Sequence, residues 1–310
     1  MSNTTASHIE TCLLQARPRL NTMLILMFSE AQLFGQKSQW LGSAIALMQP
    51  LGFQERAIRT ALCRLADHQA LRVERHGRRS LCQLAPATAA AVWAARQRHN
   101  IPPERSFAED WTILVNTGGI NAARYATTRK RLLALDYCLL APNLLARPSA
   151  YRSALDGTMP AAEELGLALF DVSGAQLAAA TSQPLFGCTD WDLDGIAELY
   201  QQFLQRFEHL RGLLDQPGAI SDEQAFLLRL LVSHGYQHCR RSDPLLPQEL
   251  LPDAWPALAA YQTYVALYCR CAGQARRHIL ALTTVATEPP PVSAPRFRRP
   301  MLSPDKLTTA

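Results

Sequence analysis

Long hydrogen-bonding side chains recur at helical spacing in one short stretch: Gln54, Arg56, Arg59, Thr60 and Arg64. A helix fits the major groove of duplex DNA, where arginine makes bidentate contacts with guanine and Gln or Thr reaches bases or phosphates. A little further on, Arg75, His76, Arg78 and Arg79 cluster around Gly77. Glycine permits a tight reversal that would gather those charges at a hairpin tip, beside the DNA backbone or in the minor groove. Each feature alone also fits a solvated basic helix or an ordinary surface hairpin. Their order, basic helix then basic hairpin, favours DNA.

The elements that must position these residues are legible around them. Leu20, Met23, Leu24, Met27 and Phe28 predict a helix within 18–34, and Gly35 to Ser38 a turn. Trp40, Leu41, Ala44, Ile45, Leu47 and Met48 predict a second helix, stopped by Pro50 and Gly52. A third runs from about Gln54 to Asp67 with Ala57, Ile58, Ala61, Leu62 and Leu65 as its buried stripe. Alternating residues at 71–75 and 80–84 flank the Gly77 turn as a β-hairpin. Helix, helix, turn, helix and basic hairpin is the order of a winged helix-turn-helix.

A connecting helix is expected from Ala87 to about His99, and Pro102-Pro103 marks a boundary. Trp111 to Val115, Tyr137 to Leu140 and Leu165 to Val172 read as strands, with a basic-faced helix from Asn121 to Leu135. That mixture predicts a ferredoxin-like α+β middle domain. Helical stripes follow at 193–214, 223–239 and 257–280, broken by the prolines of Asp243-Pro244-Leu245-Leu246-Pro247 and Trp255-Pro256. Pro289-Pro290-Pro291 with Arg296, Arg298 and Arg299 reads as a disordered tail. The fold class is therefore α+β and mostly helical. Its parts are a winged helix-turn-helix at 17–100, the middle domain at 106–190, a helical C-terminal domain at 191–285 and a tail at 286–310.

The charge distribution agrees with a polyanion partner at one end. Residues 1–105 hold 13 Lys+Arg against 6 Asp+Glu, whereas residues 106–310 hold 18 against 20. No apolar run approaches the roughly 18–20 residues of a membrane span, and the short run Met23 to Phe28 does not follow a signal-peptide layout, so a cytoplasmic location is expected. The eight cysteines are scattered without a C-x-x-C pair, which argues for reduced thiols rather than disulfides or structural zinc.

Catalytic motifs are lacking: there is no G-x-S-x-G elbow, no phosphate-binding loop and no dinucleotide fingerprint. Asp110 at a strand end leaves a metal-dependent nuclease as the enzymatic alternative. His234 and His238 share a helical face but have no third ligand at a familiar offset, so no metal site and no cofactor are expected. Trp191-Asp192-Leu193-Asp194 reads as a junction into a helix capped by an Asp.

Two blocks resemble one family of regulators. The first comprises Trp40-Leu41-Gly42-Ser43-Ala44-Ile45-Ala46-Leu47, Pro50-Leu51-Gly52, Glu55 through Leu65 and Gly77-Arg78-Arg79-Ser80. The second comprises Asp243 through Pro247, Glu249-Leu250-Leu251-Pro252 and Trp255-Pro256. In this order they are similar to the phenylacetic acid degradation repressor (PaaX-type) family, over most of residues 17–280. The resemblance implies a homodimeric repressor of an aromatic-acid catabolic operon. Its partners would be double-stranded operator DNA and an effector such as phenylacetyl-CoA or a related acyl-CoA. The phosphates of a CoA ester need cations beside an apolar slot. Arg229, His234, His238, Arg240 and Arg241 are candidates, and Arg124, Arg129, Lys130 and Arg131 form a second group. Surface charge on helices is the alternative for each, and a related repressor with a different effector stays open.

Overall fold

The computed structural model describes Thr11 and residues 18–106, 108–133, 135, 137–149, 166–181, 192–214, 220–243 and 245–284. The tail expected at 286–310 lies outside them, as do Cys12, Trp191, Cys188 and Pro244. The described elements are α1 (Leu20–Leu33), β1 (Ser38–Trp40), α2 (Leu41–Met48), α3 (Glu55–Asp67), β2 (Leu71–His76), β3 (Arg79–Leu84) and α4 (Pro86–His99). There follow β4 (Trp111–Val115), α5 (Ala122–Leu133), β5 (Cys138–Ala141), β6 (Leu144–Pro148), β7 (Ala168–Val172) and α6 (Gly174–Thr181). Last come α7 (Leu193–Leu213), α8 (Asp222–Ser242), α9 (Ala257–Arg270) and α10 (Ala272–Thr284). The architecture is α+β and mostly helical, with small antiparallel sheets. It divides into one unit of Met1–Ile101, Leu204–Gln237 and Gln262–Ala310 and another of Pro102–Phe203 and His238–Tyr261.

In the first unit, α1 buries Met23, Leu24, Leu26, Met27 and Phe28. Apolar residues around so much of a helix's circumference make it an internal one. β1 stands where the sequence predicts only a turn and the start of a helix. It exists through tertiary pairing, Gln39 against Cys82 of β3, which three residues of local pattern do not announce. The long helix expected over 257–280 is two helices, α9 and α10, divided at the buried Cys271 with Gly273 just beyond.

α3 buries Ile58, Ala61, Leu62 and Leu65. Ala57, expected in that stripe, is exposed; at about 100° per residue it falls roughly 40° outside the packed arc. The helix stops at Gln69, whose φ is 57°. There the Gln69 and Ala70 amides donate back to Ala66 and Leu65 carbonyls at 2.9 and 2.8 Å, a Schellman closure in which glutamine occupies the left-handed position glycine usually takes. The chain thereby reverses into β2. β2 and β3 pair from Leu71↔Leu84 to His76↔Arg79. Gly77, at φ 61°, takes the positive angle of a two-residue hairpin loop.

A buried ionic network ties α1 to sequence-distant helices of the same unit. Glu30 is fully buried and accepts from Arg96 Nη2 at 2.8 Å and from Arg229 Nε at 2.5 Å. The Tyr268 hydroxyl donates to Glu30 Oε1 at 2.7 Å, and Arg96 donates to that same hydroxyl and to Ser29 Oγ. Burial alone would raise the Glu30 carboxyl, but the charges of Arg229 and Arg96 outweigh it and hold the group at about 2.

The second unit is a four-stranded antiparallel sheet in the order β5-β6-β4-β7. β6 and α6 are absent from the sequence reading. Alternation along β4 sends Trp111 and Ile113 to one face with Cys138, Leu140, Leu177 and Leu246, and Leu114 to the other with Ile120, Leu132 and Leu145. The proline-rich segment after α8 is anchored by Asp243, which accepts from the Tyr200 hydroxyl and the Leu245 amide at 2.7 Å each. The Asp192 carboxylate caps α7 through the Gly195 amide at 2.9 Å.

Replacing Glu30 by Gln leaves two buried guanidinium groups opposite a neutral amide. It should destabilise the chain by roughly 3–5 kcal/mol, since breaking a buried pair exposes the uncompensated charge. A carboxyl lowered in the fold contributes stability that is present above its ordinary 4.5 and lost as pH falls toward about 2. The Glu30→Gln chain should therefore lack that part of the acid transition; an unchanged urea midpoint and acid limb would contradict the assignment.

Candidate nucleic-acid interface

The outer face of α3 carries Gln54 at its N-cap and then Arg56, Arg59, Thr60 and Arg64, all exposed. Arg59 donates from Nε and Nη2 to Glu55 Oε1 at 2.8 and 2.6 Å. One turn of helix separates the two, so the guanidinium is held along the helix surface. Thr60 Oγ1 donates to the Arg56 carbonyl at 2.9 Å. On the hairpin, Arg75, His76, Arg78 and Arg79 are exposed, as is Arg72 on β2, a cation the sequence reading passed over. Its signal was the alternation Leu71-Arg72-Val73, in which only Leu71 turns inward.

The fold brings part of these two sets around one groove of about 430 Å³. Arg59 lines it from α3, Arg78 and Arg79 from the hairpin tip, and Trp40, Leu41 and Ser43 from the junction of β1 and α2. Trp40, read from the sequence as part of an apolar stripe and of the first family-like block, also lines this groove. Its ring lies 6.0 Å from the Arg79 guanidinium and meets the His76 ring edge-on at 5.9 Å. It thus packs against the His76–Arg79 pair that flanks the hairpin loop. From the far end of the chain, the Leu282 carbonyl accepts from Ser43 Oγ at 2.9 Å, and Leu282 lines the same groove. Three guanidinium groups around a groove between a helix and a hairpin can bind phosphate oxygens while the helix face addresses base edges.

The other candidates are not assembled in this way. Arg229 is buried on Glu30 and Arg240 is buried, whereas His238 and Arg241 are exposed and His234 is half-buried. Arg229 and His234 belong to the first unit; His238, Arg240 and Arg241 belong to the second. In α5, Arg124, Lys130 and Arg131 are exposed and Arg129 half-buried. Asp110 is exposed ahead of β4, and among the described residues no group of three His, Cys, Asp or Glu is placed to hold a metal. No described helix is long and apolar enough to cross a membrane.

Residues 23–88 match the model of a family described as PaaX-like protein, and residues 191–281 match that of the PaaX-like protein C-terminal domain. The transcriptional repressor PaaX of Escherichia coli (strain K12) is 33% identical over 241 residues, which cover 75% of this chain and 74% of that one. A solved structure, the uncharacterized protein Rv0674 from Mycobacterium tuberculosis, aligns at a TM-score of 0.46 with 21% identity, covering 76% of this chain and 89% of its own.

The groove geometry gives a direct test. Replacing Arg78 and Arg79 together by Ala should weaken binding to duplex DNA of any sequence. It should also reduce the slope of log affinity against log salt by about 2, since each phosphate contact contributes roughly 0.9. Arg59→Ala should instead compress the ratio of specific to nonspecific affinity. Fluorescence anisotropy across a salt series reads both, and an unchanged slope in the double variant would remove the hairpin from the interface.

Proposed function

The chain belongs to the PaaX-like protein family, and on that premise we propose that it is a DNA-binding transcriptional repressor of an aromatic-acid, phenylacetate-type catabolic operon. The observation that carries the reading is the convergence of Arg59, Arg78 and Arg79 on one groove between α3 and the β2–β3 hairpin. α1 to β3 constitute a winged helix-turn-helix within 17–100, with α3 as recognition helix and the hairpin as wing. Gln54, Arg56, Thr60 and Arg64 supply further contacts along the helix, and Arg75 and His76 along the wing.

The sheet order β5-β6-β4-β7, with α5 crossing between β4 and β5, supports a ferredoxin-like middle domain at 106–190. The helical part at 191–285 is the C-terminal domain of this reading. Two protomers place two wings on a palindromic operator, as two-fold symmetry requires. An aryl-CoA thioester such as phenylacetyl-CoA releases the repressor by favouring a spacing that no longer matches the half-sites. The proposed location is the cytoplasm, where both DNA and thioester are available. The nuclease alternative draws no support from the comparisons.

A gel shift with DNA from upstream of the chain's own gene, with and without phenylacetyl-CoA, tests this reading. A sharp shift abolished by the thioester is the expected result. A shift indifferent to the thioester would overturn the effector and keep the repressor. The absence of any shift at low salt, where electrostatic binding is strongest, would overturn both.

A further inference from the structure

A second cavity lies within the first unit, between α1 and α4. It measures about 240 Å³, and Leu33, Ala89, Val92 and Trp93 supply apolar walls while Lys37 and Arg96 supply cationic groups. That volume is below the roughly 300–1,000 Å³ of sites for drug-sized ligands, so it suits a molecule of about one ring. Arg96 is itself nine-tenths buried, at 8% exposed, and belongs to the network around Glu30.

The charge balance of that network points to the ligand's chemistry. Two guanidinium groups, Arg96 and Arg229, face one carboxylate, Glu30. The Tyr268 and Tyr264 hydroxyls beside them are both raised by burial and remain neutral. Among the described residues one positive charge is left over in a desolvated setting, where an uncompensated charge is costly. Lys37 also lines the cavity. An anion seated beside Arg96 would offset the excess of the Glu30 network, and the walls require the rest of the molecule to be apolar.

We propose that this cavity is a binding site for a small aryl or alkyl monocarboxylate, its carboxylate toward Arg96 and Lys37 and its apolar part against Leu33, Val92 and Trp93. A CoA ester far exceeds the volume, so the site is separate from the proposed thioester effector and does not rest on the repressor reading. Its position gives it reach: α4 begins two residues after β3 ends, and Arg96 ties α4 to α1 and α9 through Ser29, Glu30 and Tyr268.

Calorimetric titration of the full chain with benzoate, and with uncharged benzamide of nearly the same shape, tests the site without DNA. Benzoate should bind saturably, at least tenfold more tightly than benzamide. Ala90→Trp, which places an indole in the cavity from α4, should weaken benzoate at least tenfold, and Lys37→Gln several-fold, both with melting temperatures close to that of the parent chain. Should Ala90→Trp unfold the chain, the benzoate–benzamide contrast and Lys37→Gln carry the decision. Absence of saturable benzoate binding, equal affinity for benzamide, or undiminished affinity in folded variants would overturn the proposal.

Discussion

Glu30 is the point on which the first unit depends. It lies on the buried helix α1; the guanidinium groups that neutralise it are 66 and 199 residues away in sequence, and the Tyr268 hydroxyl that donates to it is 238 away. A carboxylate without those partners would be expelled from the core or protonated. With them it specifies which faces of α4, α8 and α9 meet α1, because hydrogen bonds to a charged acceptor tolerate little displacement. The segment carrying the proposed DNA-facing residues is therefore tied to helices encoded more than a hundred residues later. A ligand or substitution felt at Arg96 is felt at α1 through Ser29 and Glu30.

The outward face is set by backbone constraints. α3 ends at a left-handed glutamine and the hairpin turns at a left-handed glycine. Between them only Leu71 of β2 turns inward, while the five residues that follow stay exposed. The hairpin is consequently held along β3 by the pairing with β1 and near its loop by Trp40, while its charged residues stay exposed. Pairing β1 to β3 also brings Trp40 beside Arg79, so a strand of three residues governs where the hairpin cations stand relative to Arg59.

Much of this was legible in the sequence because it is periodic. The amphipathic stripe of α3, the alternation of the hairpin and the unbroken β4 each repeat over several residues with one dominant partner surface. What escaped reading lacked such repetition. β1 is too short to alternate, β6 follows the Pro142-Asn143 turn but its run Leu144-Leu145-Ala146-Arg147-Pro148 does not alternate, and Ala57 sits just beyond the edge of a packed arc. Glu30 escaped for a different reason: one carboxylate among apolar residues is indistinguishable in sequence from a surface position at the stripe's border. Arg229 was grouped with cations near it along α8, whereas its partner is on α1. Pairings across two hundred residues leave no local trace.

If α3 is the recognition helix proposed above, the Glu55–Arg59 pair bears on how Arg59 meets DNA. An exposed i,i+4 pair is worth only about 0.3–0.5 kcal/mol, so it holds the guanidinium in place without competing seriously with a guanine edge. Glu55 nevertheless keeps a negative charge beside Arg59, so this arginine attracts a phosphate less strongly than a guanidinium without an acidic neighbour would. A guanine edge, which presents neutral acceptors, is affected less. The hairpin has a carboxylate of its own, Glu74, whose Oε2 lies 3.7 Å from His76 Nε2, whereas the loop residues Gly77 and Arg78 are not acidic. On the proposed reading, Arg78 at the tip is therefore the cation of this groove with no acidic neighbour in its own turn, and Arg59 meets DNA with Glu55 at its side.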